Sequence, residues 1–222
     1  MSLKKYRKKR DFKISPEPAG KENRKPHPTS APLIYAIQKH RATQLHYDFR
    51  LEHNGVLLSW AVPKGPSLDP SVKRLAMQVE DHPREYAQFE GVIPEGEYGG
   101  GTVMLWDVGT WTPEQPDIAE ALAKGDLKFT LHGTKLRGSW VLVRTNSWKG
   151  RPGKSWLLIK HRDAAASTRD ITVDQPRSVL SKRLLAEIAG QRGGNVAKAA
   201  TGDPKPEGAK RKSSRKSSVT RK

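Results

Sequence analysis

The chain has 222 residues, 35% of them hydrophobic, and a formal net charge of +18. That length suits one ordinary domain with tails. With no cysteine, disulfides and thiolate-held metals are excluded. No apolar run reaches membrane-spanning length, and MSLKKYRKKRDF is not followed by the apolar stretch of a signal peptide. The expectation is a soluble, cytoplasmic protein with no membrane contact.

The positive charge is concentrated at the two ends. Residues 1–28 hold ten Lys/Arg against Asp11, Glu17 and Glu22, and residues 191–222 hold ten against Asp203 and Glu207. The middle is left nearly balanced, at +3. Cationic arms suit a polyanion, because each neutralised phosphate releases a counterion.

In chain order, residues 1–31 read as an irregular, Pro-containing basic arm. From residue 32 to residue 190 the pattern is mostly short strands. Ile34–His40 is the first. Thr43–Glu52 and Val56–Val62 form a hairpin across Asn54-Gly55, residues that tolerate the positive φ of a tight turn. Leu75–Val79, Thr102–Asp107, Leu127–Leu131, Trp140–Arg144 and Ser155–Lys160 follow, punctuated by Gly, Pro, Asp and Asn. Many short strands with turns between them predict a mainly β fold, a small closed barrel. One helix is expected at Ile118–Lys124, capped by Asp117 and ended by Gly125, and a second at Val179–Ile188. Residues 191–222, rich in Lys, Ser, Ala, Gly and Pro, read as a disordered basic tail.

The chemistry sits in HRATQLHYDFRLE (40–52). Strand alternation puts Leu45, Tyr47, Phe49 and Leu51 on one face, and His46, Asp48, Arg50 and Glu52 on the other. His46 and Asp48 are close enough to share an ion, and a turn could bring His40 to the same point. Two imidazoles and a carboxylate suit Mn²⁺, Fe²⁺ or Zn²⁺ with positions left open. On pattern alone a solvated strand face competes with this, since His-x-Asp is short and common. Arg50, on the same face, adds a bidentate donor for phosphate. EDHPREY (80–86) offers His82 and Tyr86 in a turn, and Gly99–Gly101 reads as a tight turn where another backbone comes close.

With these segments in hand, the chain resembles the 3′-phosphoesterase domain of bacterial DNA ligase D, in a stand-alone form. The resemblance runs from about Tyr6 to Gln191. It rests on YRKKRDF, IQKHRATQLHYDFRLE, LLSWAVPKGPS, RLAMQVEDHPREY, EGVIPEGEYGGGTV, LKFTLHGTKLRGSWVLVR and PRSVLS. It implies a manganese-dependent enzyme of non-homologous end joining, with another divalent transition metal as a substitute. Such an enzyme trims DNA or DNA/RNA primer–template 3′ ends, removing a terminal ribonucleoside and then hydrolysing the 3′-phosphate to 3′-OH. His40, His46 and Asp48 match the metal ligands. Arg50 and His82 match the phosphate-contacting catalytic pair. Arg10, Asp11 and Glu17 match functional positions of the N-terminal segment, with Glu80 and Tyr86 near the site. Lys64 and Arg74 lie in family motifs as further substrate contacts. The arm before residue 20 is therefore expected to fold over the site. The resemblance also implies a nucleoid-associated monomer, with a ligase, a polymerase or Ku as protein partners. Two other readings stay open: a non-catalytic DNA-binding barrel, and an iron-dependent oxygenase built on a two-histidine, one-carboxylate triad.

Overall fold

The computed structural model describes residues 2–20, 31–145 and 153–205. In chain order the strands are β1 (Leu33–Arg41), β2 (Leu45–His53), β3 (Val56–Val62), β4 (Arg74–Gln78), β5 (His82–Pro83), β6 (Gly91–Ile93), β7 (Gly101–Pro113), β8 (Asp126–Gly133), β9 (Arg137–Arg144) and β10 (Ser155–Lys160). Eight of them close a ring, β1-β2-β3-β4-β10-β9-β8-β7, with β7 pairing back onto β1 and neighbours antiparallel. Closure removes the free sheet edges that would otherwise invite aggregation. The short β5 pairs with β3, and β6 with β7.

The β2–β3 hairpin turns on Asn54 at φ +49° and Gly55 at φ +73°, the conformation its sequence demands. Strand register then sets the two faces. Ile37, Phe49 and Trp60 are successive cross-strand partners. Phe49 meets Phe129 of β8 at 5.7 Å, and Trp60 meets Trp156 of β10 at 5.9 Å. Since β2 and β8 are not sheet neighbours, this contact crosses the barrel interior. Each buried ring contributes roughly 1.5–3 kcal/mol by leaving water.

The opposite face of β1–β3 is the outer wall, and it is not wet. Gln38, Asp48, Arg50, Glu52 and Ser59 are all buried. The N-terminal arm, a 3₁₀ turn at Arg84–Gln88, β5 and the loop after β6 cover it. The arm carries a short helix, α1 (Lys4–Lys8), whose Tyr6 is fully buried against His82 and Tyr86. An arm that composition alone makes irregular is thus folded onto the barrel.

Four further helices are short. α2 (Ile118–Lys124) begins and ends as expected, with Asp117 accepting from the Glu120 N–H and Gly125 at φ +79°. α3 is Ile171–Asp174, α4 Leu185–Gln191 and α5 Val196–Ala200. The expected helix at Val179–Ile188 is displaced to α4. Ser178 Oγ accepts from the N–H groups of Leu180 and Ser181, and Lys182 turns the chain at φ +64°. Leu180 is exposed, so no continuous apolar face exists there. The reading of residues 191–222 as disordered is corrected for 191–205. There Ala199 is buried, and the Asp203 carboxylate caps α4 by accepting from Leu185 and Ala186 N–H. The rest of that reading, 206–222, lies outside the described residues, as do 21–30 of the arm.

Candidate active site

β1 and β2 bring the first three candidates together without any loop. His40 and His46 are direct cross-strand partners, and Gln38 pairs with Asp48. One donor atom from each of His40, His46 and Asp48 lies within 4.8 Å of the others. Backbone carbonyls fix the rings. His40 Nε2 lies 2.8 Å from the Gly99 oxygen, and His46 Nδ1 lies 3.0 Å from the Gln44 oxygen. A carbonyl only accepts, so in the neutral rings these nitrogens carry the protons. The lone pairs of His40 Nδ1 and His46 Nε2 then face Asp48, at 3.6 and 3.7 Å. Burial, partly opposed by Asp48, pushes the His46 pKa down and favours the neutral ring. Lone pairs aimed at a carboxylate repel it unless a cation sits between them. The donor set therefore fits a divalent ion held by two nitrogens and an oxygen.

Arg50 lies beside this triad, buried. Its three nitrogens donate to Gln38 Oε1 at 2.6 Å, Ser59 Oγ at 2.8 Å and Asp48 Oδ2 at 3.1 Å. A guanidinium has five N–H donors, so two are left for a ligand. Burial alone would raise the Asp48 carboxyl, but the Arg50 guanidinium outweighs it and holds it well below the usual range. Gln38 is locked in turn, its amide donating to the Tyr86 and Phe89 carbonyls.

The arm supplies Arg10. It donates to Glu17 at 2.9 Å and approaches Glu80 at 3.4 Å and His82 Nε2 at 3.3 Å. Glu17 is buried and accepts from Arg10, Ser15 and the Tyr86 hydroxyl, so it orients two site groups without facing the cavity. Lys9 pairs with Glu80 at 2.9 Å. His82 Nδ1 sits 2.8 Å from the Glu80 carbonyl and so carries the proton, leaving Nε2 to accept from Arg10. Burial, then the charges of Arg50 and Arg10, push the His82 pKa well below its ordinary value.

The sign of that shift gives a measurable consequence. Below about pH 6.5, the ordinary histidine value, the unfolded chain takes up protons that His82 and His46 refuse in the fold. Stability should fall as pH drops from about 6.5. The lowered Asp48 and Glu80 carboxyls add losses only near and below about pH 4. Thermal melts in chelator should show Tm declining from pH 6.5 to 5, with a shallower slope for His82→Asn. A flat profile would contradict the buried neutral imidazole.

Arg10, His40, His46, Asp48, Arg50, Glu80, His82 and Tyr86 line one cavity of about 150 Å³. At about 30 Å³ per water, it can take a few waters or one phosphoryl group. Four sequence candidates lie outside it, Glu17 among them. Asp11 is exposed and its carboxylate accepts from the Lys13 N–H, closing a turn. Lys64 is exposed beyond β3, and Arg74 lies on β4 with its Nε buried and unpartnered. Gln38, Ser59, Tyr98 and the Gly99 carbonyl were missed. Gln38 had a signal: it is two residues before His40, on the same face of the same strand. The expected close approach at Gly99–Gly101 is present, since a Cβ on Gly101 would lie 2.1 Å from the Arg41 oxygen.

The model of the DNA Ligase D 3′-phosphoesterase domain matches residues 38–144. A multifunctional non-homologous end joining protein LigD of Pseudomonas aeruginosa is 52% identical over 192 residues, covering 85% of this chain and 22% of its own. One of Mycobacterium bovis is 44% identical over 160 residues, 70% of this chain and 19% of its own. One of Mycolicibacterium smegmatis is 42% identical over 163 residues, 71% of this chain and 20% of its own. The chain spans about a fifth of the length of these curated relatives. Among the described residues, no helix is long and apolar enough to cross a membrane. Over residues 38–144, which carry the His40, His46 and Asp48 triad, Arg50 and His82, the chain belongs to the DNA ligase D 3′-phosphoesterase domain family.

Proposed function

We propose that the chain is a Mn²⁺-dependent DNA 3′-end-healing phosphoesterase. It removes 3′-terminal ribonucleosides and hydrolyses 3′-phosphates to 3′-OH, on DNA or DNA/RNA primer–template ends. One observation carries the reading: a two-nitrogen, one-oxygen donor triad, two guanidiniums and a neutral imidazole converge on one phosphate-sized cavity. An iron oxygenase would use the same triad but gives no reason for the basic segments at both ends of the chain. A non-catalytic barrel gives no reason for lone pairs aimed at Asp48.

A divalent ion on His40, His46 and Asp48 supplies Lewis-acid stabilisation of phosphoryl charge. The two free N–H groups of Arg50 bind phosphate oxygens and stabilise charge in the transition state. Arg10 turns from Glu80 and His82 to a third oxygen. In 3′-phosphate hydrolysis, water forms the new P–O bond as the P–O3′ bond breaks; His82 Nε2 takes the proton that the phosphate monoanion carries and passes it to the departing 3′-oxygen, and both protons of the water leave with the inorganic phosphate. Glu17 holds Arg10 and Tyr86 in place, and Gln38 holds Arg50. Residues 1–31 are the N-terminal unit, whose described part, residues 2–20, completes the site, and the barrel unit follows from residue 32. The basic segments at both ends hold duplex phosphates without reading sequence.

The relatives' names place those proteins in non-homologous end joining. We extend that setting to this chain, at the nucleoid, as a monomer working beside a ligase, a polymerase or Ku. The test uses a 3′-phosphorylated primer–template and one ending in a single ribonucleotide, each with and without Mn²⁺. Conversion of both to 3′-OH only with the metal is expected. Tight DNA binding with no conversion would favour a non-catalytic barrel.

A further inference from the structure

We propose that Tyr98 is the stacking platform for the nucleobase nearest the bound phosphate, an inference that rests on the phosphoesterase reading above. The cavity is too small for a nucleoside. A phosphate seated on Arg50, Arg10 and His82 must project its sugar and base out through the mouth. Tyr98 lines that cavity and is 49% exposed, whereas Tyr86, the other aromatic lining it, is 2% exposed.

The ring is held in a fixed place. Its loop closes through Glu97 N–H to the Pro94 oxygen at 3.2 Å and Gly100 N–H to the Glu97 oxygen at 2.9 Å. The next carbonyl, of Gly99, is tied to His40 at 2.8 Å, so the loop is registered directly to a metal-site residue. Lys9 Nζ donates to the Tyr98 hydroxyl at 2.9 Å and lies 4.2 Å from the ring centroid. An aromatic ordered in advance gives up little entropy on stacking. Every base has a π face, so such a platform selects a base-bearing end without reading which base it is.

The alternative is that Tyr98 only latches the arm through Lys9. A mutant cycle between the ring and the base separates the two. Affinity is measured for single-stranded 3′-phosphate ends carrying a terminal 2-aminopurine or an abasic sugar, with the full chain as wild type, Tyr98→Phe and Tyr98→Ala. Wild type and Tyr98→Phe should quench the 2-aminopurine, and both should lose about fivefold to a hundredfold in affinity when the base is removed. Tyr98→Ala should lose the quenching and a comparable factor against the base-bearing end, and be indifferent to base removal. Equal weakening of both ends by Tyr98→Ala, or no weakening, overturns the platform. Wild type that hydrolyses 3′-phosphates but shows no coupling removes this inference alone. Wild type that neither binds these ends nor hydrolyses a 3′-phosphorylated primer–template removes the phosphoesterase reading and this inference together.

Discussion

Asp48→Asn should abolish turnover of a 3′-phosphorylated primer–template while the barrel stays folded. Asp48 is buried between His40, His46 and Arg50, within 3.7 Å of each. Its carboxylate is the anionic member of the donor triad and the anchor of one Arg50 nitrogen. Asparagine keeps the size and an oxygen for Arg50 but removes the charge that holds a divalent ion. Alanine is the harsher change, because it leaves a buried guanidinium less compensated, at a cost of about 3–5 kcal/mol. Lewis-acid stabilisation at phosphoryl oxygen is worth several kcal/mol. At about 1.4 kcal/mol per decade, the expected loss is roughly a thousandfold or more. Calorimetric titration with Mn²⁺ should show binding to wild type and none to Asp48→Asn at the same protein concentration. Turnover at the wild-type rate in a folded Asp48→Asn protein would falsify the metal assignment.

Deleting residues 1–20 should impair catalysis itself, lowering turnover at saturating substrate by about a hundredfold to a thousandfold, the scale for losing one preorganised donor to a transition-state oxyanion. The reason is that the arm supplies Arg10, which lies 3.3 Å from His82 and lines the cavity. It also supplies Glu17, which holds both Arg10 and the Tyr86 hydroxyl at 2.9 Å. The point variant Arg10→Ala should reproduce most of the loss. Glu17→Gln should give a smaller one, because it loosens Arg10 without removing it. The discriminating readout is turnover at saturation against the salt dependence of binding. A tether would change only the second, since it acts through counterion release. A truncated protein with unchanged turnover and weaker salt-sensitive binding would make the arm a tether.

Much of the site was legible because it depends on local rules. Strand alternation puts His46, Asp48 and Arg50 on one face whatever the barrel does, and a hairpin-like return from β1 sets His40 against His46. The Asn54-Gly55 turn and the Asp117 and Gly125 caps were likewise visible in a few neighbouring residues. Asp11 was matched to a functional position only through the resemblance. It stands beside Arg10 in the sequence but spends its carboxylate on a turn at the surface.

The sequence by itself determined the β class, the hairpin, the His-His-Asp triad with Arg50, and the segregation of positive charge to the two ends. Each follows from period-two alternation, turn chemistry or composition, which act over a few residues. Tertiary structure alone decided that the polar face is buried on the barrel's outer wall; that the arm roofs it was expected only from the resemblance, and the structure shows Tyr6 and Arg10 doing so. Contacts across 72 residues, as between Arg10 and His82, carry no local signature. Tertiary structure also decided that residues 192–203 fold back on α4. Asp203 can cap that helix only once the chain between them has turned, at a closure cost that no local pattern records.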